Sequence, residues 1–84
     1  MEIVFHREFK KKYKKLPVKI QSQFNDRLKL FVKDKTHSKL NNHSVDTAFT
    51  DCRSINVTGD YRAIFKEENN VAVFVTIGKH SELY

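Results

Sequence analysis

The sequence predicts an α+β fold: an N-terminal strand, an α-helical hairpin and then a three-strand antiparallel meander, with the helices on one face of the sheet. Two observations support this prediction. Apolar residues recur at helical spacing through the first half of the chain, and in the second half they alternate or run together as they do in strands. A chain of 84 residues has room for one small core, so we expect residues 1–84 to form a single domain.

The first half predicts one short strand and two helices. β-Branched and aromatic residues favour a strand at Ile3–Phe5. Pro17 breaks the helical pattern, so one helix ends before it and a second runs from about Val18 to Lys33. Each helix has one apolar stripe, and the two stripes are expected to pack as an antiparallel hairpin. The stripes are Phe5, Phe9, Tyr13 and Leu16 in the first helix, and Ile20, Phe24, Leu28 and Phe31, with Val32 beside them, in the second.

The second half predicts a loop and then three strands. Residues 34–44 are mostly polar and are expected to form the loop. The strands are predicted at Phe49–Val57, Tyr61–Glu67 and Val71–Ile77. The last of them is apolar on both faces, which is typical of a central strand. The turn at residues 58–60 contains Gly59, at which we expect a positive φ.

The turn at residues 58–60 also predicts the strand register. Pairing Val57 with Tyr61 across it puts Ile55 opposite Ala63, so this face of the sheet is apolar and is expected to carry the helices. The same alternation puts Arg53 on the apolar face unless a bulge intervenes.

The opposite face of the sheet holds an isolated cation. Here Asn56 is expected opposite Arg62, which is surrounded in sequence by apolar and aromatic residues. Arg62 is either a surface residue paired with Asp60 or Glu67, or a side chain that grips a phosphate, for which arginine is well suited.

The charge of the chain is unevenly distributed. Residues 1–42 carry 12 Lys and Arg against 4 acidic residues, a charge of +8, and residues 43–84 carry 4 against 6, a charge of −2. The basic excess is concentrated in the run Lys10–Lys15. Such a patch favours binding to a polyanion through phosphate attraction and counterion release, although a solvated helix face has the same composition.

The chain carries one cysteine, Cys52, so no internal disulfide is possible and a reducing cytoplasm is expected. No apolar run has the length of a membrane span, and no signal peptide follows the first residue. Distant histidines with Cys52 and without a CxxC or HExxH motif do not predict a metal site, and no cofactor is predicted.

Four histidines divide into two pairs. His6 and His37 are expected at the surface. His43 precedes the sheet and His80 follows the last strand, and residues at strand ends are often the catalytic ones. We expect these two histidines and Arg62 to converge at one edge of the sheet.

Three segments resemble the RelE superfamily of bacterial toxins, and most closely its YafQ branch: LNNHS (Leu40–Ser44), GDYRAIF (Gly59–Phe65) and IGKHSELY (Ile77–Tyr84). The resemblance covers essentially the whole chain. It implies a RelE-like fold and a toxin that cuts translated mRNA on the ribosome, without a metal, until a cognate antitoxin silences it.

The resemblance also implies the site residues. The family's catalytic positions correspond to His43, Asp60 and His80, with the closing aromatic at Tyr84, and Arg62 matches the arginine that stabilises charge on the scissile phosphate. One further family histidine corresponds to Asn56, which cannot exchange a proton. The predicted RNA-binding residues are Lys11, Lys12, Lys15, Arg53, Asn56 and Lys79.

Two other functions remain open at this point. ParE-type relatives share the fold and bind gyrase instead of cutting RNA, although His43, Asp60 and His80 argue against that function here. A catalytically weakened relative that binds RNA or an antitoxin is the other alternative, and Asn56 is the residue that favours it.

Overall fold

A computed structural model describes residues 1–84 and has the predicted order of elements. The strands are β1 (Glu2–Phe5), β2 (His43–Ser44), β3 (Arg53–Asn56), β4 (Tyr61–Glu68) and β5 (Val71–Lys79), and the helices are α1 (Arg7–Lys15), α2 (Val18–Lys33) and α3 (His80–Leu83). A short 3-10 turn at Ser38–Leu40 precedes β2. The predicted α+β class, with an N-terminal strand and a helical hairpin, is confirmed.

The strands form one five-stranded sheet in the order β1-β5-β4-β3-β2. Strand β1 is parallel to β5, and the other neighbours are antiparallel. Strand β5 lies between β1 and β4, as its unbroken apolar sequence predicted. The expected register is also confirmed, since Ile55 pairs with Ala63 and Asn56 pairs with Arg62.

The main hydrophobic core lies between the helical hairpin and one face of the sheet. Phe74 of β5 is fully buried there among five other phenylalanine rings. Their centroids lie 5.3 to 6.0 Å from that of Phe74. These neighbours are Phe5, Phe9, Phe24, Phe31 and Phe65. The predicted stripes therefore form the core, except that Val32 is 52% exposed.

A β-bulge in β5 sets which residues face the helices. Ile64 pairs with Thr76, but the next residue, Phe65, pairs with Phe74, so Val75 is the extra residue. A bulge shifts the alternation of side chains by one position. As a result Phe74 and Ile77 both join the core under the helices, while Val75 packs on the other face.

The strand predicted at Phe49–Val57 begins only at Arg53, so its first part was predicted wrongly. Residues 46–51 turn instead, because the Asp46 carboxylate accepts a hydrogen bond from the Asp51 N–H and Asp51 adopts a left-handed φ of 61°. The turn carries Phe49 onto the face away from the helices, where it packs against a small cluster. The two-residue strand β2 lies within the predicted loop.

The turn between β3 and β4 does not depend on glycine, contrary to the prediction. Gly59 has no positive φ, and a Cβ there would meet nothing within 4 Å. The Thr58 hydroxyl shapes this turn by accepting hydrogen bonds from the N–H groups of Asp60 and Tyr61. At the β4–β5 turn, Asn69 and Asn70 have positive φ values of 51° and 61°, which asparagine tolerates.

Cys52 is buried in the small cluster on the second face of the sheet. Burial raises the pKa of its thiol, and Asp51 and Asp46 act in the same direction against Lys66. The thiol is therefore protonated at neutral pH. None of the helices has the length and apolar character needed to cross a membrane.

Candidate active site

The predicted site residues lie around the end of the sheet where β3 finishes, β4 begins and β5 runs into α3. Asn56 pairs with Arg62, and Arg62 pairs with Gly78, so these three positions form one row across the sheet. Paired residues project to the same face. Since Ala63 faces the helices, Arg62 and Asn56 lie on the opposite face, as predicted.

Arg62 is held by backbone carbonyls and has no acidic partner. Its Nη1 atom donates to Thr58 O at 2.8 Å, Gly59 O at 3.1 Å and Tyr61 O at 3.1 Å. Glu67, one of the two acids considered as a partner, is paired with Lys35 instead. The guanidinium is thus fixed against the β3–β4 turn, and its positive charge is not neutralised by a carboxylate.

Asp60 and His80 are joined through the backbone beside this arginine. The His80 N–H donates to Asp60 O at 2.7 Å, which ties the start of α3 to the β3–β4 turn. Helix α3 lies close to the sheet here: a Cβ on Gly78 would be 3.5 Å from Leu83 Cδ2. Asp60 and His80 are both exposed, so solvent or a ligand reaches them.

Tyr84 extends the site with an aromatic surface. Its ring centroid lies 4.7 Å from that of His80 and 6.0 Å from that of Phe49. Tyr84 is 45% exposed, so part of the ring is free to stack on another planar group.

His43 lies apart from this group, on the outer strand β2. It pairs with Ser54, two residues along β3 from Asn56, and therefore lies on the same face as Arg62. Strand spacing and rise put the Cα atoms of His43 and Arg62 about 12 Å apart. The structure therefore brings Asp60, Arg62, His80 and Tyr84 together and places His43 at the far side of the same face.

Three polar side chains on this face each have a buried atom without a hydrogen-bond partner. These atoms are Asn56 Oδ1, Ser54 Oγ and Thr76 Oγ1, and Thr76 is on this face because it pairs with Ile64, as Ser54 does. Such an acceptor costs about 1–3 kcal/mol when it stays unpaired. Asn56 is half-buried, so its side-chain amide must turn outward before Oδ1 meets a molecule bound beside Arg62.

Three of the predicted RNA-binding lysines meet at a second place. Lys12, Lys15 and Lys79 line a pocket of about 460 Å³ between the α1–α2 turn and the end of β5. Lys11 is not among them and lines a different pocket with His6. Lys12 is 3.9 Å from Glu8, and all three lysines of the first group are exposed.

Arg53 pairs with Phe65, and no bulge interrupts this part of β3. It therefore lies on the face that carries the helices, as the alternation predicted, and it is exposed there. Its Nε donates to Asn42 Oδ1 at 2.8 Å and its Nη2 to Asn42 O at 3.3 Å. These contacts leave part of the guanidinium free, and binding of RNA by Arg53 stays a prediction.

The other two histidines have structural roles at helix starts. His6 Nδ1 accepts from the Glu8 N–H, and His37 Nδ1 accepts from the Lys39 N–H, each at 3.1 Å. His6 is exposed, as predicted, and His37 is half-buried. No group of three or more His, Cys, Asp or Glu side chains is arranged to hold a metal ion.

Sequence reasoning missed three residues of this region. Phe49 was assigned to a strand, and only the turn at residues 46–51 brings it to Tyr84. Asn41 and Asn42 were predicted only as loop residues. The Asn41 carbonyl lies against the His43 ring, and the Asn42 side chain accepts a hydrogen bond from Arg53. The one available signal was Asn41, two positions before a candidate histidine, because asparagine tolerates the left-handed backbone that Asn41 adopts.

The whole chain, residues 1–84, matches the profile of a family described as the bacterial toxin of type II toxin-antitoxin system, YafQ. No curated protein matches the chain by sequence. Among solved structures, YafQ from Escherichia coli is 16% identical, with a TM-score of 0.81 over 99% of this chain and 97% of that one.

Two solved complexes contain similar chains. In the E. coli DinJ-YafQ toxin-antitoxin complex, the matching chain is 16% identical, with a TM-score of 0.80 and coverage of 99% of this chain and 96% of that one. In the RelB-RelE antitoxin-toxin complex from Methanococcus jannaschii, identity is 16%, the TM-score is 0.76, and coverage is 96% and 94%. At these identities the likeness establishes the fold.

Proposed function

Because the chain belongs to the YafQ family of bacterial type II toxins, we propose that it is a ribosome-dependent endoribonuclease that cuts translated mRNA. The observation that carries this proposal is the cluster of Asp60, Arg62, His80 and Tyr84 at one end of the sheet. It combines an unpaired cation, proton-transfer groups and an exposed ring on one face. This is the set of groups that metal-free RNA cleavage requires.

In the proposed reaction, the 2′-hydroxyl next to the scissile phosphate attacks phosphorus, and the bond to the leaving 5′-oxygen breaks. A base takes the proton from the 2′-oxygen, and an acid gives one to the 5′-oxygen. In-line attack places these two groups on opposite sides of the phosphate. His43 and His80, on opposite sides of one face, suit that requirement, with His80 as the acid and His43 as the base. Asp60, the other candidate base, lies beside His80.

Arg62 is proposed to stabilise the negative charge that builds up on the phosphorane. A fixed donor costs little reorganisation at the moment of reaction. The three carbonyl contacts of Nη1 hold this guanidinium in place while its other nitrogens remain available to the phosphate oxygens.

Two further residues are proposed to bind the substrate nucleotides. The exposed part of Tyr84 offers a stacking surface for a base, as aromatic rings do in many RNA-binding proteins. The half-buried Asn56 is proposed to turn its unpaired Oδ1 toward a ribose hydroxyl or a base N–H group beside Arg62.

The proposed partners are mRNA, the ribosome with its RNA, and a cognate antitoxin protein. Solved structures of similar chains include complexes with the antitoxins DinJ and RelB, which supports the last of these. Ribosomes place the proposed activity in the cytoplasm, and no metal or other cofactor takes part in the proposed reaction.

A weakened nuclease is a second candidate, and Asn56 favours it. The YafQ resemblance puts a histidine at this position, and an asparagine cannot take up or release a proton. If that proton transfer contributes to the family's reaction, this chain cuts RNA more slowly than its relatives and acts more as a binding protein.

The proposed function is tested with two transcripts that differ only in their start codon. Primer extension in cells expressing the chain should reveal new ends in the translated transcript and none in the one without a start codon, because the ribosome presents the substrate. Intact transcripts in growth-arrested cells, together with loss of DNA supercoiling, would contradict the nuclease and support the gyrase-directed alternative.

The basic pocket leads to a second prediction, for a variant with Lys12, Lys15 and Lys79 all changed to Glu. Ribosome binding should weaken, and the log–log salt dependence should become shallower by about 0.7–0.9 for each RNA phosphate that the variant no longer neutralises. A control with Lys29, Lys33 and Lys66 changed to Glu has the same net charge. An equal decrease in affinity for both variants in a salt titration would show that only overall charge matters.

A further inference from the structure

We propose that Arg53 and Asn42 are positioning residues that hold His43 in one tautomer, with Nε2 free to act as the base. This inference builds on the proposed nuclease, in which His43 is one of the two candidate bases. The contacts that carry it lie in the loop between α2 and β2.

Asn42 is held from two sides, directly before His43. Arg53 donates to the side chain of Asn42 at 2.8 Å and to its backbone carbonyl at 3.3 Å. The Asn42 Nδ2 group donates in turn to Lys35 O at 2.9 Å. The Asn42 side chain thereby fastens the loop to β3 through its acceptor and to residue Lys35 of the loop itself through its donor.

A separate ion pair, between Lys35 and Glu67, lines the same pocket as Asn42 and Arg53. Lys35 Nζ lies 2.7 Å from Glu67 Oε2. Neither side chain of this pair hydrogen-bonds with Asn42 or His43, and surface pairs of this kind contribute little to stability. Breaking this ion pair is therefore a control for breaking the hydrogen bonds between Arg53 and Asn42.

The loop places a carbonyl oxygen against the His43 ring. Asn41 has a left-handed backbone with a φ of 46°, and its O atom lies 2.6 Å from His43 Nδ1. A carbonyl oxygen only accepts hydrogen bonds, so Nδ1 must carry the proton. In the neutral ring Nε2 is then unprotonated, because the bond made by one nitrogen fixes the state of the other.

This assignment favours His43 over Asp60 as the base and explains why the loop is fastened so closely. The neutral ring of free histidine carries its proton mainly on Nε2. In that tautomer Nε2 of His43 could not accept the proton from the 2′-oxygen. The Asn41 carbonyl reverses that preference only while residues 41–43 keep their backbone geometry. Arg53 and Asn42 hold this geometry without touching the reacting atoms.

The tautomer is measured by long-range nitrogen–proton correlation NMR on ¹⁵N-labelled protein, at a pH where the ring is neutral. His43 in the unchanged chain should show a protonated Nδ1 and an unprotonated Nε2. Asn42→Ala and Arg53→Ala should convert His43 to a mixture of tautomers, and Arg53→Lys, which retains one donor, should fall between. Glu67→Gln should leave the signals unchanged.

Cleavage assays on programmed ribosomes supply the second readout. Asn42→Ala should lower kcat by about 10- to 100-fold with little change in KM, since misplacing a reacting group by about 1 Å has an effect of that order. Arg53→Ala should lower kcat to a similar extent, and a rise in KM in that variant alone would report the predicted contact of Arg53 with RNA. If the chain is not a nuclease, the NMR result still tests the inference separately.

A protonated Nε2 in the unchanged chain would overturn the inference. So would an unaltered tautomer in folded Asn42→Ala and Arg53→Ala variants, or an equal tautomer change in Glu67→Gln. A circular dichroism melt identifies any variant that fails to fold. If an alanine variant fails, a change of the His43 tautomer in folded Arg53→Lys supports the inference, and an unchanged tautomer overturns it.

Discussion

Changing His80 to alanine is expected to slow mRNA cleavage about 10²- to 10⁴-fold, because the leaving 5′-oxygen loses its general acid. Changing Arg62 to alanine is expected to cost about 10²- to 10³-fold, the usual effect of removing one fixed donor from a developing negative charge. Both rates are measured by primer extension on a translated message with intact ribosomes.

Neither change should alter the fold. His80 is exposed at the start of α3, and Arg62 makes its hydrogen bonds only to nearby carbonyls. His6→Ala is the matched control for His80, since that exposed histidine only caps α1. Cleavage that persists in folded His80→Ala and Arg62→Ala variants would refute the assigned site.

Asn56→His is the complementary variant. A large gain in cleavage would show that this chain has lost one proton-transfer group of its family and is a weakened nuclease. Unchanged cleavage would show that His43, Asp60 and His80 suffice. Asn56 and Arg62 are paired on the sheet, so the introduced imidazole would lie beside the reacting phosphate.

The helices and the strand register were predictable because each depends on a short-range pattern. The spacing of Phe9, Tyr13, Phe24 and Phe31 fixes which side of each helix is buried. The pairing of Ile55 with Ala63 follows from a three-residue turn and strict alternation. The family was equally visible, and the match over residues 1–84 confirms it.

The features that escaped prediction depend on a single side chain or on tertiary contacts. The bulge at Val75 leaves no mark in an uninterrupted apolar run, because either phase buries an apolar residue. The Asp46–Asp51 contact delays the start of the expected strand to Arg53 and brings Phe49 to Tyr84. The residue types and motifs predicted the candidate site residues. The distance of His43 from the others could not be predicted, because it depends on the order of the strands in the sheet.

Changing Phe74 to alanine is expected to lower the free energy of unfolding by about 3–5 kcal/mol. This ring is fully buried, and five phenylalanine neighbours surround it, so its removal leaves a cavity that rigid rings fill poorly. Small domains have only about 5–15 kcal/mol in total, and the variant should lose much of its stability in urea unfolding.

Phe49→Ala is the matched control, because it removes the same group from a half-buried position in the small cluster on the other face of the sheet. Phe49→Ala should lower the free energy of unfolding by much less than Phe74→Ala does. Equal losses of unfolding free energy would mean that the two clusters contribute alike and that the helix face is not the main core.

The activity of Phe74→Ala is a separate test. Phe74 lies on the face opposite Arg62, so activity that is lost because Phe74→Ala unfolds should return at temperatures low enough to refold the protein. Loss of activity in fully folded Phe74→Ala protein would instead show that packing under the helices controls the geometry of the site.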